Sequence, residues 1–174
     1  MNPKTCCFTG HRKISASQYP EIQKHLEAEL EKLINQGVDV FMAGGALGFD
    51  TIAALTVLAM KKDYPQISLF LVLPCMEQAK SWCGEDLKTY SRILNEADNV
   101  VYTSDYYFPG CMQKRNRRLV DSSGVCLCFL TKGGGTAYTV AYAQKKGVQI
   151  VNLADFLSLP ALSCKANKNA DNAC

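Results

Sequence analysis

The sequence predicts an α/β fold: a single Rossmann-like, doubly wound, mainly parallel sheet of about six strands, with helices on both faces. Three observations predict it. Short apolar runs alternate strictly with segments of helical periodicity. The connections between them are short. Three of the runs end directly in glycine-rich turns, at Gly10, at Gly44-Gly45 and at Gly133-Gly134-Gly135. Strands and helices that alternate in this way imply right-handed crossovers and a sheet covered on both sides.

The elements follow in order. Residues 5–9 form a short apolar run ending in Gly10 and read as the first strand. Residues 20–36 form a helix, because Ile22, Leu26, Leu30, Leu33 and Ile34 recur at helical spacing and Gly37 stands where a C-terminal glycine belongs. Residues 38–43 are the second strand, after which Asp50 can cap a buried helix running to about Met60. The continuous apolar run 67–73 suits a central parallel strand and stops at Pro74. A helix near 85–97 carries Leu87, Tyr90 and Leu94 on one stripe. The strand 99–103, a helix around 112–121, the strand 125–130, a helix 136–146 closed by Gly147, and the strand 148–153 complete the pattern. Residues 1–160 are expected to form one domain. The polar, aperiodic segment 161–174 is expected to be a disordered tail.

Composition limits the function classes. With 174 residues, 48% hydrophobic and 20% charged, the chain suits one globular domain. A net charge of +3 is too small to imply polyanion binding without local clustering. No apolar run approaches the roughly 20 residues that span a bilayer, and no apolar signal segment follows Met1, so a cytoplasmic location without membrane contact is expected. The nine cysteines include no Cys-x-x-Cys pair, and Cys6, Cys7, Cys126 and Cys128 fall within strands. Cys126 and Cys128 share a sheet face but have purely apolar flanks, so they are expected to pack as thiols rather than hold a metal.

The chemistry is expected beyond the carboxyl ends of the strands, where an open α/β sheet holds its ligand. Glycine lets backbone approach a ligand closely, and a helix beginning just beyond it presents unpaired N–H groups to an anion. The first turn, Thr9-Gly10-His11-Arg12, ends in a guanidinium suited to phosphate or carboxylate. The second, Gly44-Gly45-Ala46-Leu47-Gly48-Phe49-Asp50, matches neither the Gly-x-Gly-x-x-Gly fingerprint nor a P-loop, which argues against conventional nicotinamide-dependent hydride transfer. Asp50 either caps its helix or contacts a ribose hydroxyl. The turn after the fourth strand contributes Tyr106, Tyr107 and Phe108, either as a stacking face or as a loop plug, and Lys114, Arg115 and Asn116 beyond them. Lys114 and Arg115 fall in a first helical turn, where the dipole disfavours cations and a bound anion would remove the conflict. The last turn, Gly133-Gly134-Gly135-Thr136, opens a helix, and Thr136 can cap it or contact phosphate.

Taken together, these residues resemble the SLOG superfamily of Rossmann-like proteins, and most closely its YpsA-like branch. The matching stretches are Thr9 to Arg12, Gly44 to Asp50, Arg115-Asn116 and Gly133 to Thr136, so the resemblance covers residues 5 to about 153. It implies a pocket for a nucleotide or nucleotide-derived ligand and, by analogy, a homodimer; no cofactor is expected to be required. The superfamily also contains the DNA-processing protein DprA/Smf and the LOG phosphoribohydrolases. LOG enzymes carry Pro-Gly-Gly-x-Gly-Thr-x-x-Glu; aligned on Gly135-Thr136, Thr139 stands where that glutamate would be. Threonine cannot stabilise an oxocarbenium-like centre as a carboxylate does, which argues against the LOG reaction here.

The leading expectation is a binding or sensing module for a phosphate-bearing nucleotide derivative, held by Arg12, Arg115 and the glycine turns. One alternative is a LOG-like nucleotide N-glycosidase or hydrolase of altered specificity, using Asp50 or Glu77 as its carboxylate. Another is a DprA-like single-strand DNA binder using Lys114, Arg115, Arg117 and Arg118.

Overall fold

The computed structural model describes Asn2 and residues 4–157. The segment 161–174 lies outside the described residues. Six parallel strands form one sheet: β1 (Thr5–Gly10), β2 (Val40–Ala43), β3 (Ser68–Leu73), β4 (Asn99–Tyr102), β5 (Val125–Phe129) and β6 (Gln149–Asn152). Their order across the sheet is β4-β3-β2-β1-β5-β6. The chain winds outward from β1 to β4, then crosses back over β3, β2 and β1 to reach β5. The topological reversal lies between β1 and β5, where Cys7 pairs with Cys126 and Gly10 with Phe129.

The five α-helices divide between the two faces. On one face α1 (Tyr19–Asn35), α2 (Phe49–Met60) and α3 (Gly84–Glu96) bury Ile22, Leu26, Leu30, Ile52, Val57 and Ile93 against Phe8, Phe41 and Leu71. Alternate strand residues point the other way. Cys7, Met42, Val72, Cys126 and Cys128 meet Leu119 and Val120 of α4 (Cys111–Asp121) and Val140 and Ala143 of α5 (Gly135–Lys145). Every residue of β5 is buried, as a strand covered on both faces must be. The cysteines of β1 and β5 therefore act as small core residues, with exposures of 0–1%.

The predicted elements are all present, with shifts of one or two residues at their ends. Two one-turn helices were not anticipated: η1 (Met76–Ala79) after β3 and η2 (Leu153–Phe156) after β6. No helix among the described residues is long and apolar enough to cross a membrane.

Candidate functional site

A cavity of about 1220 Å³ lies over the reversal between β1 and β5. The end of β1 supplies Thr9, Gly10, His11 and Arg12 to its wall. The starts of α4 and α5 form much of the remainder, through Arg115 and Asn116 on one helix and Gly134, Gly135 and Thr136 on the other. Asp50 also reaches it from α2. Ten of the fourteen residues singled out from the sequence thus converge. Gly44, Gly45, Gly48 and Gly133 do not line the cavity.

Three of the predicted glycines serve packing. A Cβ on Gly44 would overlap the Arg115 guanidinium, and one on Gly10 would collide with Phe49. Gly48 combines a φ of 78° with space closed by the His11 and Arg12 carbonyls, so only glycine fits there. Gly133, Gly134 and Gly135 differ: a Cβ on any of them would meet nothing within 4 Å. Crowding in the fold does not demand glycine at 133 or 135, and the space above them is open.

Asp50 does not cap α2. The N-cap is Gly48, and Asp50 is the second residue of the first turn, 5% exposed. Its Oδ2 accepts the Gly44 N–H at 3.1 Å and the Ala46 N–H at 3.4 Å, and lies 3.4 Å from Arg115 Nη1. The carboxylate clamps the second glycine turn and pairs with the buried cation of α4. Burial pushes the Asp50 pKa up and the Arg115 pKa down, and their mutual attraction opposes both shifts. Because α4 starts at Cys111, Arg115 is its fifth residue, just beyond the first turn expected from the sequence, and its charge is met by Asp50 rather than set against the helix dipole. Arg115 remains poorly matched: among the described residues its Nε has no partner, and its Nη2 meets the Met112 sulfur at 3.9 Å.

His11 joins two of the turns. Its Nε2 accepts the Thr131 N–H at 2.9 Å, and its carbonyl accepts the Phe49 N–H at 3.1 Å. Its ring lies edge-on to Phe129. Burial, and then the charge of Lys132, lower its pKa from 6.5. The imidazole is therefore neutral at pH 7, with Nε2 as acceptor.

Asn116 Nδ2 donates to Thr139 Oγ1 at 2.8 Å, and Thr139 donates on to the Gly135 carbonyl at 2.9 Å. The residue in the position of the LOG glutamate is thus a brace between α4 and α5. Thr136 does not cap α5; its N-cap is Gly134, without a side-chain cap. Glu77 lies on η1 outside the cavity wall, paired with Lys80. Tyr106 and Tyr107 are exposed and also lie outside it. The tyrosines that do line it are Tyr102 and Tyr138. Sequence reasoning missed Tyr102 and Tyr138. Tyr138 lies one turn beyond Gly135, and that spacing is the signal that could have found it.

The wall carries five basic side chains, Arg12, Lys114, Arg115, Arg117 and Arg118, against two carboxylates. One of these, Asp50, is engaged by Arg115; the other, Asp121, accepts from Tyr142 Oη at 2.9 Å and pairs with Lys146. Positive charge is left in excess over the cavity.

A doubly wound parallel sheet with a basic cavity above its reversal defines a Rossmann-like α/β protein. The YpsA family model, described as the YspA SLOG family, matches residues 6–156, and the chain belongs to that family. It is 32% identical over 132 residues to the UPF0398 protein BH1768 of Halalkalibacterium halodurans, covering 74% of this chain and 70% of that protein. It is 30% identical over 139 residues to the uncharacterised SPbeta prophage-derived protein YoqJ of Bacillus subtilis, covering 72% and 81%. Among solved structures it resembles DNA processing protein A from Helicobacter pylori, described for its single-stranded DNA binding mode, with TM-score 0.60 and 21% identity. It also resembles DprA from Streptococcus pneumoniae, with TM-score 0.58 and 15% identity. Each match covers 85% of this chain but only 64% and 49% of the respective DprA chains, so this chain spans less than two thirds of either. At these identities the likeness is one of fold.

Proposed function

We propose that this chain is a cytoplasmic binding module for a phosphate-bearing, nucleotide-derived ligand, homodimeric by analogy with its superfamily. The observation that carries the reading is the start of α5. Its first turn has no capping side chain and no acidic residue, and it opens into the basic cavity beneath three glycines that nothing crowds. Unpaired N–H groups at a helix start, with the positive end of the dipole behind them, suit a phosphate. The brace from Asn116 through Thr139 to Gly135 holds that turn in place. The wall lacks an unengaged carboxylate among the described residues, which favours binding over glycosidic cleavage.

The substitution Gly135→Asp tests this directly. A carboxylate in the first turn of α5 should stabilise the free protein by about 0.3–1 kcal/mol through the helix dipole. It should also repel a phosphate. A thermal-shift screen with nucleoside mono- and diphosphates, NAD and ADP-ribose should therefore show a raised midpoint without ligand and no ligand-induced shift. A ligand-induced shift as large as in the unaltered protein would show that the phosphate lies elsewhere.

A second reading, single-strand DNA binding, draws on the DprA likeness and on exposed Lys114, Arg117 and Arg118 along one helix beside Tyr138. It requires affinity that falls steeply with salt. Oligonucleotide titrations at 50 and 200 mM salt decide it, and absent or salt-independent binding would dismiss it.

A further inference from the structure

We propose that the start of α4, with Arg12 and Arg115, is a second anion subsite, so that the ligand carries two linked phosphoryl groups, as a diphosphate or a pyrophosphate bridge. This rests on the phosphate reading of the cavity and specifies its ligand class.

The first observation is the state of Arg115. It is 4% exposed, yet among the described residues one of its five N–H donors approaches an oxygen, at 3.4 Å, one meets a sulfur, and Nε has no partner. A buried donor without an acceptor destabilises the fold unless something else satisfies it, and this side chain forms part of the cavity wall. The second observation is Arg12, an exposed cation on the same cavity wall as Arg115, whose charge adds to burial in pushing the Arg115 pKa down. Two guanidiniums thus line one wall, and Asp50 pairs with Arg115. The third is the start of α4 itself, which has Gly110 at the N-cap, no capping side chain and no acidic residue in its first turn. Helices α1, α2 and α3 each carry an acid there: Glu21, Asp50, and Glu85 with Asp86. The dipoles of α4 and α5 are thus both uncompensated, and both enter one cavity.

The two subsites are also fixed relative to each other. The bond from Asn116 to Thr139, continued to the Gly135 carbonyl, ties the first half of α4 to the first turn of α5. A phosphate monoester has three terminal oxygens. The α5 turn and Thr136 use these, leaving Arg12, Arg115 and the α4 N–H groups unmatched. A second phosphoryl group bonded to the first supplies what they lack.

Calorimetric titration without divalent cations provides the test. The probes are adenosine, guanosine, cytidine and uridine mono- and diphosphates, together with orthophosphate and pyrophosphate. In at least one nucleoside series the diphosphate should bind tenfold or more tightly than the monophosphate, and pyrophosphate more tightly than orthophosphate. Arg12 is exposed, so Arg12→Ala should leave the core intact. It should erase that gap while changing monophosphate affinity less than threefold. Arg118→Ala, which removes an exposed cavity cation further along α4, should weaken both members of a pair alike and preserve the gap. If mono- and diphosphates bind equally, or if Arg12→Ala and Arg118→Ala have the same effect, the second subsite is wrong and the phosphate site at α5 stands. If no phosphorylated probe binds, the phosphate reading fails and the second subsite falls with it.

Discussion

Asp50 and Arg115 lie 65 positions apart and share a buried contact that no local rule of sequence announces. Asp50→Asn leaves the guanidinium buried beside an uncharged group and should cost about 3–5 kcal/mol in urea unfolding, the usual range for a broken buried pair. Asp50→Asn combined with Arg115→Met removes the stranded charge and should recover a large part of that loss, giving a coupling energy well above the error of a double-mutant cycle. His11 gives a pH signature instead. Its pKa is lowered in the folded protein, so the unfolded chain takes up the proton first as the pH falls. The stability that His11 contributes is full above 6.5 and declines as the pH drops from there through the lower folded value. Protonated Nε2 also loses its bond from Thr131. The thermal midpoint should therefore fall between pH 7.5 and 5.5 by more in the unaltered protein than in His11→Asn. Equal pH dependence in the two would remove His11 from this role.

At the scale of elements, the alternation of runs and the spacing of Ile22, Leu26, Leu30 and Leu33 were enough to read strands and helices, because each helix buries a single stripe or is buried almost all round. The turns were only half legible. Gly44 and Gly133 look alike in sequence, but their surroundings come from segments distant in the chain. At Gly44 the empty Cβ position is filled by Arg115, whereas at Gly133 it faces open space. Gly44→Ala should therefore cost about 3 kcal/mol or more, through overpacking and disruption of the ion pair. Gly133→Ala should be neutral or stabilise by up to about 1 kcal/mol, because it restricts the unfolded chain. Chemical denaturation of the two variants measures the contrast, and similar losses would contradict it. The aromatic residues divided in the same way. Tyr106 and Tyr107 stood out as a cluster, yet Tyr102 and Tyr138 line the cavity because β4 and α5 end and begin at its rim.

For the whole molecule, the strand order gathers the candidate site at one place. The sheet reverses between β1 and β5, so loops and helix starts from distant parts of the chain meet there. A ligand in the cavity would touch the ends of β1, α4 and α5 but not α3, which covers the opposite face. Hydrogen exchange with saturating nucleoside diphosphate should slow in residues 110–118 and 132–139 and stay unchanged in 84–96. Uniform slowing across the chain would point to general stabilisation rather than a ligand at the reversal.

The cysteines of the two central strands give this fold a built-in clock. Cys6, Cys7, Cys126 and Cys128 are sealed in the middle of the sheet, and burial pushes the Cys128 thiol up to about 12. Cys83 is the exposed thiol among the described residues. An alkylating reagent should therefore modify Cys83 at once and reach the β1 and β5 thiols only when the sheet opens, since the reactive thiolate forms only in contact with water. The labelling rate at those four positions then times the opening of the centre of the molecule without a mutation or a fluorophore. Any ligand that bridges β1 to the two helices beside it should lengthen that time.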